Sequence, residues 1–97
     1  MTPQEFFKND LFAEKAGIVL MEVREGYSKA KLEIKKEHLN AGNRTQGGAI
    51  FTLADLALAA AANSHGQLAF SLSSNITFLR ASGEGDTLYA EARERYI

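Results

Sequence analysis

The stretch from His38 to Asp55, HLNAGNRTQGGAIFTLAD, concentrates the side chains of this chain that can do chemistry. A polar, glycine-bearing loop runs through Gly47-Gly48 straight into an apolar helical segment interrupted by one carboxylate, Asp55. A glycine pair at a helix start leaves backbone N–H groups unsatisfied at the positive end of the helix dipole. Such donors stabilise the oxyanion that develops when an acyl carbonyl is attacked, and a carboxylate supplies the base or the nucleophile. Gly47 and Gly48, with Asp55 two turns further along, therefore fit acyl hydrolysis. Gln46 can donate from its amide to the same carbonyl but cannot serve as acid or base. Each residue also has a plainer use. Glycines let a chain turn into a helix, mid-helix acids usually face water, and loop asparagines such as Asn40 form turns.

Other chemistries find less support. There is no cysteine, hence no thiolate nucleophile, disulfide framework or cysteine-ligated metal. The two histidines, His38 and His65, lie far apart and have no acid at metal-ligand spacing, so no metal site is expected. No Ser-His-Asp order sits in a nucleophile elbow. A formal net charge of −1 provides no electrostatic case for nucleic acid or an anionic membrane as partner. The apolar run Leu56 to Ala62 is far shorter than the ~20 residues of a membrane span, and the N-terminus does not read as a signal peptide. These features are those of a cytoplasmic domain, and 97 residues allow one small core.

The elements that must position the chemistry are marked by clear punctuation. Thr2-Pro3-Gln4-Glu5 has the capping-box form and predicts a short helix, broken near Asn9-Asp10 and restarted with Asp10 as cap. Gly17 is its expected stop. Ile18 to Val23 reads as a strand, Glu25-Gly26 as a turn, and Tyr27 to Ile34 as the return strand. Ser28, Ala30, Leu32 and Ile34 share one face of that strand, and Lys29, Lys31, Glu33 and Lys35 share the other, so one face is buried and one wet. A helix from about Gly48 to Ala62, with alanines at 54, 57 and 59–62, is apolar nearly all round and must be surrounded. Asn63 to Gly66 ends it, and His65 suits the negative end of its dipole. A strand over Leu68–Leu79, a turn at Ser82–Asp86 and a strand from Thr87 to Ile97 complete an α+β domain, an antiparallel sheet wrapped on one helix.

The order and spacing of His38-Leu39-Asn40, Gly42, Gln46-Gly47-Gly48 and Leu53-Ala54-Asp55 resemble the PaaI-type thioesterases of the hotdog fold. Asp10-Leu11-Phe12, Ala16-Gly17-Ile18 and the run Asn75-Ile76-Thr77-Phe78-Leu79-Arg80 with Gly85-Asp86 extend the likeness along nearly the whole chain. Gln46 departs from it, since the family carries histidine before the glycine pair. The resemblance implies a single hotdog domain over residues 1–97 that hydrolyses acyl-CoA thioesters without metal or cofactor. It implies Asp55 as the catalytic carboxylate, Gly47 as the oxyanion donor with Gln46 beside it, and Asn40 and Ser71 near the attacking water. Gly48, His38 and Arg80 are its implied substrate contacts. Arg44, Arg80, Arg93, Lys35 and Lys36 are the cations that can meet the phosphates of coenzyme A.

The family's acid and its glycine donor come from different subunits, which implies a homodimer or dimer of dimers. The neutral face of Ser71, Ser73, Asn75 and Thr77 suits a strand that pairs with its symmetry mate. Family domains also carry about two more strands after the point where this chain stops, so the sheet is expected to lack C-terminal strands. Two other readings remain open: a non-catalytic hotdog domain that binds acyl-CoA or assembles partners, and a hydratase or dehydratase. The last normally needs a histidine with its acid.

Overall fold

In the computed structural model, residues 2–64 and 82–94 are described. The expected strand over Leu68–Leu79, with Ser71 and Arg80, lies outside them, as do His65 and residues 95–97. Two short helices open the chain, α1 (Pro3–Phe7) and α2 (Leu11–Ala16). Thr2 Oγ1 accepts the Glu5 N–H at 3.1 Å and Asp10 Oδ1 accepts the Ala13 N–H at 3.2 Å, each supplying an acceptor for an otherwise orphaned donor. Gly17 ends α2 at φ +89°, a left-handed conformation that a side chain would resist. The break and restart at Asp10 fall where the sequence places them.

Strands β1 (Val19–Arg24) and β2 (Tyr27–Glu33) form a hairpin, and β3 (Thr87–Arg93) pairs along the other edge of β2. Both pairings are antiparallel. On β2, Ser28, Ala30, Leu32 and Ile34 are all buried, the face that alternation assigned to the core. Opposite them on β3, Leu88, Ala90 and Ala92 face the same way in an unbroken register. Strand β1 departs from simple alternation. A bulge at Met21 shifts the register between Leu20 and Glu22, so Leu20 and Val23 turn inward, while Val19 and Met21 stay exposed.

The long helix α3 (Gly47–Ala62) crosses this inner face and buries Leu53, Leu56, Ala57, Ala60 and Ala61. Ala57 of the helix shares the core cluster with Ala30 of the sheet, Ala90 and Ala92 pack against it, and such small side chains allow the two backbones to come close. Two hydroxyls tie the layers together. The wholly buried Ser28 Oγ donates to the Ala57 carbonyl of α3. Ser64 Oγ accepts the Gly26 N–H at 2.8 Å and donates to the Ala61 carbonyl, tying the hairpin turn to the helix end. No helix among the described residues is long and apolar enough to cross a membrane.

On the outer face, Tyr27 is covered by the guanidinium groups of Arg24 and Arg93, 4.1 and 4.8 Å from its ring centre. Its hydroxyl donates to Glu91 at 2.7 Å across the β2–β3 pair. That hydrogen bond holds the Glu91 carboxyl below its ordinary pKa and, for the same reason, raises that of Tyr27.

Between β2 and α3 a one-turn 3-10 helix (Lys36–His38) carries a buried histidine. His38 Nδ1 accepts the Lys35 N–H at 2.9 Å, which leaves Nε2–H to donate to the Ala16 carbonyl at the end of α2. The ring thus clamps the start of the site loop to the N-terminal helices.

Two expectations follow. His38→Ala removes a buried ring and leaves the part-buried Lys35 N–H and Ala16 carbonyl without their partner, and should lower stability by about 1–3 kcal/mol, read as a fall in urea midpoint. An unmoved midpoint would show that the clamp contributes nothing. For Glu91, a depressed carboxyl stabilises the fold above its ordinary pKa, and that gain is lost as pH falls through the lowered value. Tyr27→Phe should therefore be less stable than the parent near neutral pH and converge on it in acid. Parallel midpoint-against-pH curves would remove the linkage.

Candidate active site

The loop that delivers the chain to α3 is a small closed hairpin. Leu39 and Thr45 form an isolated antiparallel bridge, and the Gln46 N–H donates to the His38 carbonyl at 2.7 Å. Asn40 organises the tip: its Oδ1 accepts the N–H groups of Gly42 at 2.9 Å and Arg44 at 3.2 Å. Its own N–H donates to the Arg44 carbonyl at 2.7 Å, and Asn43 takes the left-handed conformation at φ +60°. The turn-forming use of Asn40 is thus realised. With Oδ1 engaged, its amide Nδ2 is the group that can face a ligand.

The base of the loop is held by contacts invisible to local sequence reading. Thr45 donates its N–H to the Ser82 carbonyl at 2.8 Å, and Ser82 Oγ donates to Thr45 Oγ1 at 2.6 Å. Neither residue was singled out from the sequence, because their partnership spans 37 positions and no motif marks it.

At the helix start Gln46 is the N-cap. Its Oε1 accepts the Gly48 N–H, while Ala49 N–H turns back to the Gln46 carbonyl at 2.9 Å. That leaves the Gly47 N–H without an acceptor among the described residues. The two glycines thus differ in their donors: Gly47 keeps one without an acceptor among the described residues, and Gly48 gives its own to the cap. A Cβ on Gly48 would lie 2.9 Å from Gln46 Oε1, so its lack of a side chain is what admits the cap. With Oε1 facing Gly48, the Gln46 amide nitrogen remains free, so capping and donation to a ligand are compatible.

Asp55 is exposed in this chain and shares one stripe of α3 with the exposed Leu58 and Ala62. Among the described residues the helix is therefore left open along one side rather than surrounded. Eight residues separate Asp55 from Gly47, or ~12 Å along a helix axis. One chain does not bring the carboxylate and the free donor onto the same carbonyl. His38, read as a substrate contact, has both ring nitrogens engaged within the scaffold, which leaves neither for a ligand. Among the described residues no three His, Asp or Glu side chains cluster as a metal-binding set. Ser71 and Arg80 fall outside the described residues.

Comparison with known proteins matches residues 42–97 to the model of the thioesterase superfamily. A curated protein of Archaeoglobus fulgidus is 50% identical over 91% of this chain and 57% of its own length. Acyl-coenzyme A thioesterase PaaI of Escherichia coli is 37% identical over 93% of this chain and 64% of its own. The solved structure of E. coli PaaI superposes with a TM-score of 0.87 at 36% identity, covering 92% of this chain and 64% of that one. A Streptococcus pneumoniae thioesterase structure with coenzyme A superposes at 0.76 and 27% identity, over 86% of this chain and 67% of that one. The chain thus spans somewhat under two thirds of the curated relatives it matches. The sheet and central helix are those of the hotdog fold, as the motif spacing implied. The chain belongs to the thioesterase superfamily.

Proposed function

We propose that this chain is the catalytic domain of a PaaI-like acyl-CoA thioesterase, acting in the cytoplasm as a dimer or dimer of dimers. The observation that carries the reading is the Gly47 N–H, without an acceptor among the described residues, at the start of a 16-residue apolar helix whose one charged side chain is Asp55. A thioester carbonyl set against Gly47 N–H has its developing negative charge met by a donor and by the positive end of the helix. The Gln46 amide nitrogen and Asn40 Nδ2 supply further donors, for the carbonyl and for the attacking water. Asp55 takes the proton from water or attacks the carbonyl itself. In the first case water adds to the carbonyl and the C–S bond breaks; in the second the C–S bond breaks to leave an acyl–Asp55 anhydride that water then hydrolyses, and either way the products are a free acid and coenzyme A thiol.

Because ~12 Å of helix separates donor and acid in one chain, the acid belongs to a second copy. That copy would cover the Asp55–Leu58–Ala62 stripe and carry its own Asp55 towards the first copy's Gly47. Ser71 and Arg80 are assigned to the water and substrate sides of the site by family resemblance. Gly48 acts through the cap it gives Gln46. The coenzyme A bound by the S. pneumoniae relative and the acyl-coenzyme A named for E. coli PaaI support the substrate class.

Asp55→Asn should lose ~10²-fold or more in kcat for acyl-CoA hydrolysis while keeping fold and oligomer, since an amide is neither base nor nucleophile. Turnover within a few-fold of the parent would sink the assignment. If the parent binds acyl-CoA but releases no thiol, the domain is a binder rather than an enzyme.

The second expectation concerns Gln46. Gln46→Ala should lower the rate less than Asp55→Asn does, and should also cost stability by loss of the helix cap, about 0.5–2 kcal/mol. Gln46→His can both cap and donate, so it should keep activity. Unchanged rates in Gln46→Ala would leave Gly47 N–H as the sole donor of the pair.

A further inference from the structure

The chain enters α3 through Thr45 and Gln46, and the backbone of this pair is gripped from both sides. Thr45 is buried, and its N–H donates to the Ser82 carbonyl at 2.8 Å. Gln46 is extended, at φ −63° and ψ 132°, and its N–H donates to the His38 carbonyl at 2.7 Å. Successive N–H groups of an extended segment point to opposite sides, so the two bonds close on the pair from opposing walls. His38 forms one wall and is itself fixed through its ring to Lys35 and Ala16. Ser82, just before the turn that leads into β3, forms the other. It adds a second bond, its hydroxyl donating to Thr45 Oγ1 at 2.6 Å. That turn is in turn held to the end of β2: the Gly85 N–H donates to the Ile34 carbonyl at 2.9 Å, and the Ile34 N–H to the Asp86 carbonyl at 2.8 Å.

The next peptide, between Gln46 and Gly47, carries the donor of the candidate site. A peptide is planar and trans, so its C=O and N–H point in opposite directions. The Gln46 carbonyl is directed along α3, where it accepts the N–H groups of Ala49 at 2.9 Å and Ile50 at 3.4 Å. The Gly47 N–H therefore points out of the helix start. Two glycines in a row restrain that direction weakly by themselves. An oxyanion donor is effective only where it is held in place before the charge develops, so the restraint has to come from the residues that lead into the helix.

We infer that Ser82 is a positioning residue for the Gly47 donor, acting through Thr45 against the opposing His38 wall. The inference rests on the acyl-CoA reading of the site. The Ser82 hydroxyl fixes Thr45, and Thr45 fixes the backbone from which the donor projects. A grip of this kind acts on the transition state more than on bound substrate, because the alignment it preserves serves a charge that exists only there.

The test uses the full chain and follows acyl-CoA hydrolysis alongside the backbone amide spectrum. Ser82→Ala removes the hydroxyl and keeps the backbone bond. It should lower kcat per folded molecule by about 5–20-fold, below the ~10²-fold that a misplacement of ~1 Å costs, and leave KM within about twofold. Ser82→Thr keeps a hydroxyl and should keep kcat. Thr45→Val deletes the other end of the same bond with little change of shape, so it should lower kcat as Ser82→Ala does, and the double variant should fall no further. In isotope-labelled Ser82→Ala the Gly47 amide resonance should shift and the Gln46 amide should exchange faster with solvent. An unchanged kcat in folded Ser82→Ala, a fall that Ser82→Thr shares, or additive losses in the double variant would overturn the inference. If Thr45→Val does not fold, the two Ser82 variants decide by themselves. No hydrolysis by the parent would overturn the acyl-CoA reading, and the Gly47 and Gln46 amides would still show whether Ser82 holds the donor.

Discussion

A helix with almost no polar face has to be covered, and the covering of α3 is the constraint on which the remaining geometry depends. Leu53, Leu56 and Ala57 share one core cluster with Ala30 and Leu32 of the sheet, and Leu88 and Ala90 pack against it. Because the small side chains fall at the closest approach, the helix axis can sit near the sheet without strain. Ser28 then becomes possible as a wholly buried polar residue, its hydroxyl bonded to the Ala57 carbonyl. Buried hydroxyls are costly unless paired, so this bond also resists sliding of the helix along the sheet. With α3 held in this way, its N-terminus has a defined position relative to β2. The loop joining the two therefore has little freedom left.

That loop shows how a scaffold makes one donor available among several. The first turn of any helix has unsatisfied N–H groups. Here the Gly48 donor goes to Gln46 Oε1 and the Ala49 donor turns back to the Gln46 carbonyl, which isolates the Gly47 N–H. The Gln46 backbone is in turn held by the His38 carbonyl, and His38 is clamped to α2 through its ring. A chain of hydrogen bonds thus runs from the end of an N-terminal helix to the donor. The histidine that family resemblance gives as a substrate contact is the anchor of that chain of hydrogen bonds.

Much of this architecture was legible in the sequence because it is encoded locally. The caps at Thr2, Asp10 and Gly17, the Glu25-Gly26 turn and the alternation of Ser28, Ala30, Leu32 and Ile34 each depend on a few adjacent residues. The motif spacing also located the helix start and its acid. What was not legible is non-local. The bulge at Met21 reverses the inward face along β1, and nothing in six residues of mixed apolar and charged character announces it. The Thr45–Ser82 clamp joins residues far apart in sequence. The difference between Gly47 and Gly48 depends on the rotamer of Gln46, which no spacing rule contains. Nor does composition reveal that an apolar helix keeps one open stripe, because the pattern of alanines is nearly uniform around it.

The open stripe and the separation along the helix are consequences of one another. An α-helix advances 1.5 Å per residue, so an acid placed well inside the helix cannot reach a carbonyl docked at that helix's own first N–H. If both groups serve one reaction, the acid has to come from a helix entering from elsewhere, and a second copy of the same chain supplies one by symmetry. Two such helices can approach only along faces that lack bulky covering. The Asp55–Leu58–Ala62 stripe is such a face: small or apolar apart from the acid, and exposed in the single chain. Covering it would bury apolar surface and bring the carboxylate into the contact, so association and the placing of Asp55 would draw on the same face. On this view the uncovered side of α3 is not a defect in the packing of a small domain. In the proposed dimer it is the face that a second copy completes, and the proposed chemistry sits at that contact.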